Sequence, residues 1–89
     1  MFWGFLMSKI EIGNYLVIDP EVYHGELIFK GTRIPVKTVL TFLRLGDSID
    51  DILAGYPNLT KEAVEEVIQM ATEALIKQVQ YEREIEKVA

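Results

Sequence analysis

The sequence predicts a mainly α fold with a small β element: short N-terminal strands followed by a trihelical, helix-turn-helix-like core with a long C-terminal helix. β-prone residues dominate positions 10–29, apolar residues recur at helical spacing from position 36 onward, and helix-start signals stand at Pro35, Ser48 and Thr60. A chain of 89 residues suffices for one domain with a small core.

Domain organisation follows from the same patterns. We expect one globular domain at residues 10–76, preceded by an apolar extension at 1–9 and followed by a helical extension at 77–89. The apolar opening is too short to span a bilayer and lacks the basic region and cleavage site of a secretory signal, and either Met1 or Met7 can be the native start.

The strand region contains two β-prone segments, at 10–18 and at 27–29. Gly13 interrupts the first segment, and turn-forming residues at 19–25 separate it from the second. We therefore expect two short strands.

A backbone junction links the strands to the helices: Gly31-Thr32-Arg33-Ile34-Pro35. Glycine adopts backbone angles that other residues avoid, and proline fixes its own φ and pushes the preceding residue toward an extended conformation. We expect Arg33 on a stiff corner, where its guanidinium can anchor a carboxylate or a phosphate. An intramolecular ion pair with Asp19 or Glu21 is the alternative.

Three helices are predicted after the junction. Apolar spacing from Val36 indicates a first helix that stops at Gly46, and its opposite stripe carries Lys37 and Arg44. Ser48 caps a short second helix, which ends near Gly55. The cationic residues at the junction and on the first helix are the candidate partner- or phosphate-binding set: Lys30, Arg33, Lys37 and Arg44.

The third helix begins after Thr60 and has no helix breaker before the end of the chain. Even to Tyr81 it is about 30 Å long at 1.5 Å per residue, about the diameter of a small domain. Its distal part therefore projects, frays or packs against another chain. Because apolar residues persist there, we expect a helix-mediated homodimer whose interface includes Leu75, Ile76 and Val79, with Trp3 and Phe5 as further candidates.

Composition argues against catalysis. The chain has no cysteine, which excludes thiol catalysis and cysteine-ligated zinc. It has a single histidine, His24, so acid–base catalysis by a pair of histidines is also excluded. The acidic cluster at 47–51 is better explained as a helix start than as a cation site. We expect no catalytic residue, no metal and no cofactor, and a cytoplasmic location.

Charge is distributed unevenly along the chain. Residues 46–89 hold ten acidic and four basic groups, whereas residues 1–45 are near neutral. Because carboxylates also dominate the start of the third helix, DNA binding by the isolated chain is expected to be weak.

Several motifs together resemble one known family. They are Ile18-Asp19-Pro20-Glu21, Gly25, Gly31-Thr32-Arg33-Ile34-Pro35-Val36, residues 46–53 and Tyr56-Pro57-Asn58-Leu59-Thr60. This ordered set, over about residues 17–75, closely resembles the Domain of Unknown Function 433 family. The resemblance implies a strand region, a homeodomain-like helical core and an antitoxin role beside a PIN-like ribonuclease toxin. Two positions depart from the family pattern: Glu26-Leu27 follows the family glycine, and Lys30 replaces a familiar arginine and so loses a bidentate fork.

Three function classes follow. The first is an antitoxin-type binding module that pairs with a ribonuclease-like toxin and can autoregulate its operon. The second is a helix-turn-helix DNA-binding regulator, and the third is a homodimeric structural or interaction domain. An enzyme is disfavoured, because the chain offers no nucleophile–base pair.

Overall fold

The computed structural model describes residues 8–88 and contains three short strands followed by three helices. These elements are β1 (Ile10–Ile12), β2 (Leu16–Ile18), β3 (Leu27–Phe29), α1 (Val36–Arg44), α2 (Ile49–Gly55) and α3 (Lys61–Val88). The predicted fold class is confirmed. Within the described residues, no helix combines the length and the hydrophobicity that crossing a lipid bilayer requires.

The strand count corrects the sequence-based expectation, because the segment at 10–18 forms two strands rather than one. β1 and β2 pair antiparallel with Ile12 opposite Leu16, and β3 pairs antiparallel with the other side of β2. Gly13 lies at the turn with φ of +61°, a conformation that glycine adopts without steric cost. The residue that interrupts the β-prone pattern is therefore the turn of a hairpin.

The two faces of this sheet have different neighbours. Successive strand residues point to opposite faces, so Leu16 and Phe29 pack against the helices, whereas Val17 and Ile28 lie on the outer face. Val22, from the loop before β3, joins the outer pair in a small separate cluster. The sheet thus contributes to two hydrophobic clusters.

The predicted helix boundaries agree with the structure within one or two residues. α1 follows Pro35, which occupies the N-cap position in an extended conformation, and Gly46 reverses the chain after α1 with φ of +103°. Ser48 caps α2, and the Thr60 hydroxyl accepts a hydrogen bond of 3.2 Å from the N–H of Ala63 in the first turn of α3. The capping residues therefore mark the starts of α2 and α3.

The main core lies between the inner sheet face and the three helices. Its buried members are Leu16, Phe29, Val36, Val39, Ile52, Leu59, Ala63, Val64 and Val67. Only the N-terminal part of α3 takes part: Met70 is half-buried, and every residue from 71 to 87 is exposed. At 1.5 Å per residue the 28-residue helix is about 42 Å long, so its C-terminal half extends beyond the domain.

Candidate functional site

The junction between β3 and α1 is a tight, internally bonded corner. Gly31 has φ of +78°, and the Thr32 hydroxyl donates to the Phe29 carbonyl at 2.8 Å while it accepts from the Ile34 N–H at 3.0 Å. The Phe29 N–H in turn donates to the Ile34 carbonyl at 3.0 Å. These bonds hold the backbone on both sides of Arg33, as the sequence indicated.

An open groove of about 800 Å³ lies beside this corner, on the outer face of the sheet. Val17, Val22 and Ile28 form its apolar floor. The remaining lining residues are Lys9, Glu11, Asp19, Lys30, Gly31, Thr32 and Arg33. The groove therefore combines a hydrophobic floor with a charged rim, an arrangement typical of a binding surface.

Ion pairs neutralise most of the rim. Lys30 Nζ lies 2.6 Å from Glu11 Oε1, and Lys9 Nζ lies 3.8 Å from Asp19 Oδ2. The Lys30 ammonium, through its hydrogen bond and its charge, holds the pKa of the Glu11 carboxyl below its ordinary value of 4.5. Lys30 is thus engaged within the chain, which the sequence did not predict.

Arg33 is exposed on the rim and takes no part in these pairs. Among residues 8–88, no carboxylate lies within ion-pair distance of its guanidinium. The expected alternative, a pair with Asp19 or Glu21, is wrong, because Asp19 is bound by Lys9 and also accepts from the Glu21 N–H at 3.0 Å. Within residues 8–88, the guanidinium therefore has no carboxylate partner and lies exposed.

The other two candidate cations lie on α1. Lys37 Nζ pairs with Glu26 Oε1 at 2.6 Å, so its charge is also compensated. Arg44 lies exposed in the last turn of α1, where a cation interacts favourably with the helix dipole. Of the four predicted cations, Lys30 and Arg33 share the groove, whereas Lys37 and Arg44 do not line it.

One carboxylate on α3 has a structural role that no sequence pattern indicated. Glu66 accepts from the N–H of Asn14 at 2.7 Å and from the N–H of Tyr15 at 2.9 Å. It therefore ties the β1–β2 turn to α3. A Cβ at Gly13 would lie 2.6 Å from Glu66 Oε1, so a larger residue at the turn would displace this carboxylate. No local pattern could reveal these hydrogen bonds, because Glu66 lies 51 residues after Tyr15 and 52 residues after Asn14 in the sequence.

The remaining acidic and basic candidates have local roles. His24 lies in the loop before β3 with φ of +57°, as a turn residue. Asp51 accepts from the Ser48 N–H at 3.2 Å, and its own N–H donates to the Ser48 hydroxyl, which completes a capping box. Hydrogen bonding from Ser48 to the Asp51 carboxylate, chiefly from the Ser48 backbone N–H, lowers the pKa of Asp51 below its ordinary value of 3.8.

The predicted interface residues on the distal part of α3 are exposed. Leu75, Ile76 and Val79 retain 65%, 51% and 43% of their accessible surface. Trp3 and Phe5, the other two, lie outside the described residues.

Comparison with known proteins identifies the family. The model of the family described as "Protein of unknown function (DUF433)" matches residues 16–71, which include β2, β3, α1, α2 and the buried part of α3. A search of curated proteins finds no match. The chain resembles the crystal structure of a DUF433 member protein from Anabaena variabilis, with 28% sequence identity, a TM-score of 0.60, and coverage of 91% of this chain and 73% of that one. The match over more than half of the sequence shows that this chain belongs to the DUF433 family.

Proposed function

We propose that this DUF433 protein is a protein-binding module of the antitoxin type rather than an enzyme. It acts in the cytoplasm and pairs with a PIN-like ribonuclease toxin. The binding surface is the groove on the outer sheet face, and Arg33 is its anchor for carboxylates of the toxin.

The observation that carries this proposal is the charge balance of the groove. Three cations and two carboxylates line it, and the two lysines each have a carboxylate partner, so the surplus positive charge belongs to Arg33. Its guanidinium presents several donors in a planar fork, which matches a carboxylate in two parallel hydrogen bonds.

The corner and the floor support the same role. The hydrogen bonds of Thr32 limit the movement of the backbone that carries Arg33, so little conformational freedom is lost on binding. The floor of Val17, Val22 and Ile28 suits an apolar side chain of the partner beside its acidic residues. Together these features fit an acidic protein surface with one hydrophobic contact.

The test is co-purification with the ribonuclease-like product of a neighbouring gene, followed by titration calorimetry. We expect Arg33→Glu to weaken the complex by about 30-fold or more, which corresponds to about 2 kcal/mol, as for a central interface arginine. Arg33→Lys, which keeps the charge and loses the fork, should have an intermediate effect. Arg44→Glu is the matched control, since this exposed arginine does not line the groove. Equal affinities for Arg33→Glu and the wild type would refute the role of Arg33.

DNA binding is the second candidate, and the succession of three helices after the sheet favours it. It requires salt-sensitive affinity for the protein's own promoter that Arg44→Glu abolishes. We rank it lower because Lys30 and Lys37 are compensated by Glu11 and Glu26, and because exposed carboxylates occupy the start of α3.

A further inference from the structure

We infer that the distal part of α3 is the interface with a second copy of this chain, and that the two helices pack antiparallel. The inference concerns a surface remote from the groove, and it does not depend on the proposed toxin pairing. It rests on an apolar stripe, on its position around the helix, and on the charges at its two ends.

The stripe consists of Ile68, Thr72, Leu75 and Val79. Their 4-3-4 spacing places them on one face of the helix. Ile68, Leu75 and Val79 are exposed, and Ile76 lies next to them. The Thr72 hydroxyl donates to the Ile68 carbonyl at 2.8 Å, so burial of this face leaves no unpaired hydroxyl. The stripe therefore has the composition of a helix–helix seam.

No other element of residues 8–88 covers this face. The residues of α3 that enter the main core are Ala63, Val64 and Val67. At 100° per residue, the centre of the stripe lies roughly 100° around the helix axis from the centre of that buried set. The core and the stripe are thus separate faces of α3, and a second chain can occupy the stripe while the domain stays folded.

The charges at the ends of the stripe select the orientation of the second copy. Lys61 lies seven residues before Ile68, and Glu86 lies seven residues after Val79, so both continue the same face. In a parallel pair, each of these residues would lie beside the same residue of the second chain, so like charges would meet at both ends of the stripe. In an antiparallel pair, Lys61 lies opposite Glu86 of the second copy, and opposite charges meet at both ends.

The same register accounts for the apolar residues and for a second pair of charges. With the two-fold axis between residues 73 and 74, Ile68 lies opposite Val79 of the second copy, and Thr72 lies opposite Leu75. In this register Glu65 lies at the level of Glu82 and Arg83 of the second copy; Arg83, on the same edge of the stripe, offers Glu65 an opposite charge, and the Glu82 carboxylate accepts from Gln78 of its own helix. The two-fold symmetry repeats every contact, so four oppositely charged pairs surround the seam.

Cysteine cross-linking tests the orientation directly, because the native chain has no cysteine. We expect an Ile68→Cys chain mixed with a Val79→Cys chain to form a disulfide under mild oxidation. Neither single variant alone should cross-link efficiently, because in the antiparallel register each cysteine lies far from the same cysteine of the second chain. Self-linking of the single variants would indicate a parallel pair and overturn the inference.

Sedimentation velocity tests the seam itself. We expect the wild type to dissociate on dilution, and Leu75→Glu to be monomeric at every concentration. Tyr81→Glu is the matched control, because Tyr81 is an exposed apolar residue on the opposite side of α3 and should leave the dimer unchanged. A monomeric wild type would overturn the inference. If the wild type is monomeric and Leu75→Glu also loses toxin binding, the stripe is the binding surface for the toxin. Circular dichroism confirms that each variant keeps its helix content.

Charge reversal supplies an independent check. Arg83→Glu should weaken the dimer, and the double variant Glu65→Arg with Arg83→Glu should restore it, because only the antiparallel register brings these two residues together. Failure of the double variant to recover the dimer contradicts the proposed register.

Discussion

At the scale of single residues, Glu66 connects the N-terminal hairpin to the last helix. Its carboxylate binds two backbone N–H groups of the β1–β2 turn, and both hydrogen bonds are to a charged acceptor. Such bonds are stronger than neutral ones. The side chain thus contributes to stability through the position of the hairpin, although it lies on a helix surface that carries other glutamates.

Replacement of Glu66 measures this contribution. We expect Glu66→Ala to lower the free energy of unfolding by about 1–3 kcal/mol, because two backbone donors lose a charged acceptor. Urea denaturation should show a lower midpoint with an unchanged slope. Glu84→Ala, at an exposed position of the same helix, is the control and should have little effect. An unchanged midpoint for Glu66→Ala would mean that the hairpin holds its place without this side chain.

For the candidate site, the sequence predicted the backbone conformation but not the ion pairs. The stiff corner around Arg33 followed from glycine and proline, because these residues constrain the local backbone whatever the rest of the fold does. The ion-pair partners of Lys30 and Lys37 could not be predicted, because they depend on which residues the folded sheet and loops bring together. Local backbone chemistry was thus predictable, whereas long-range side-chain pairing was not.

At the scale of elements, α2 depends on its first turn. The helix has only seven residues, so its own backbone hydrogen bonds provide little independent stability. The capping box of Ser48 and Asp51 satisfies two backbone donors at that end.

The capping box should make stability depend on acid. Because Asp51 has its folded-state pKa below the ordinary value of 3.8, its contribution is present above that pH and is lost as the pH falls through the folded-state pKa. We expect Ser48→Ala to lower the free energy of unfolding by about 1 kcal/mol at neutral pH. Asp51→Asn should reduce the loss of thermal stability on acidification, whereas Asp50→Asn, which removes a neighbouring carboxylate outside the box, should not. Identical acid dependence of Asp51→Asn and the wild type would contradict this account.

Elements were predicted well where a residue with a defined backbone role marks their ends. Ser48, Thr60 and Gly46 each stand at a helix boundary in the structure. The hairpin was missed because β1 and β2 have only three residues each, too few to establish an alternating pattern before the turn at Gly13.

At the scale of the whole molecule, α3 divides the protein into a packed part and an exposed part. Residues up to Met70 share the core, whereas residues 71–87 are exposed. Hydrophobic packing provides most of the stability of a helix in a protein, so the two halves differ in local stability.

Amide hydrogen exchange should display this division. We expect strong protection around Val64 and Val67 at every protein concentration, because these residues are in the core. Protection of residues 68–79 should rise with concentration, since the dimer seam forms only on association, and residues 80–88 should exchange fastest. Concentration-independent exchange throughout α3 would contradict the dimer.

The tie between Glu66 and the hairpin has a consequence for biosynthesis. The hairpin leaves the ribosome first, but the glutamate that secures it is translated 52 residues later than Asn14. At about 5–20 residues per second, this delay lasts several seconds, during which an isolated two-stranded hairpin is marginally stable at best. During synthesis the β1–β2 turn therefore lacks this anchoring carboxylate until the first turns of α3 have been made.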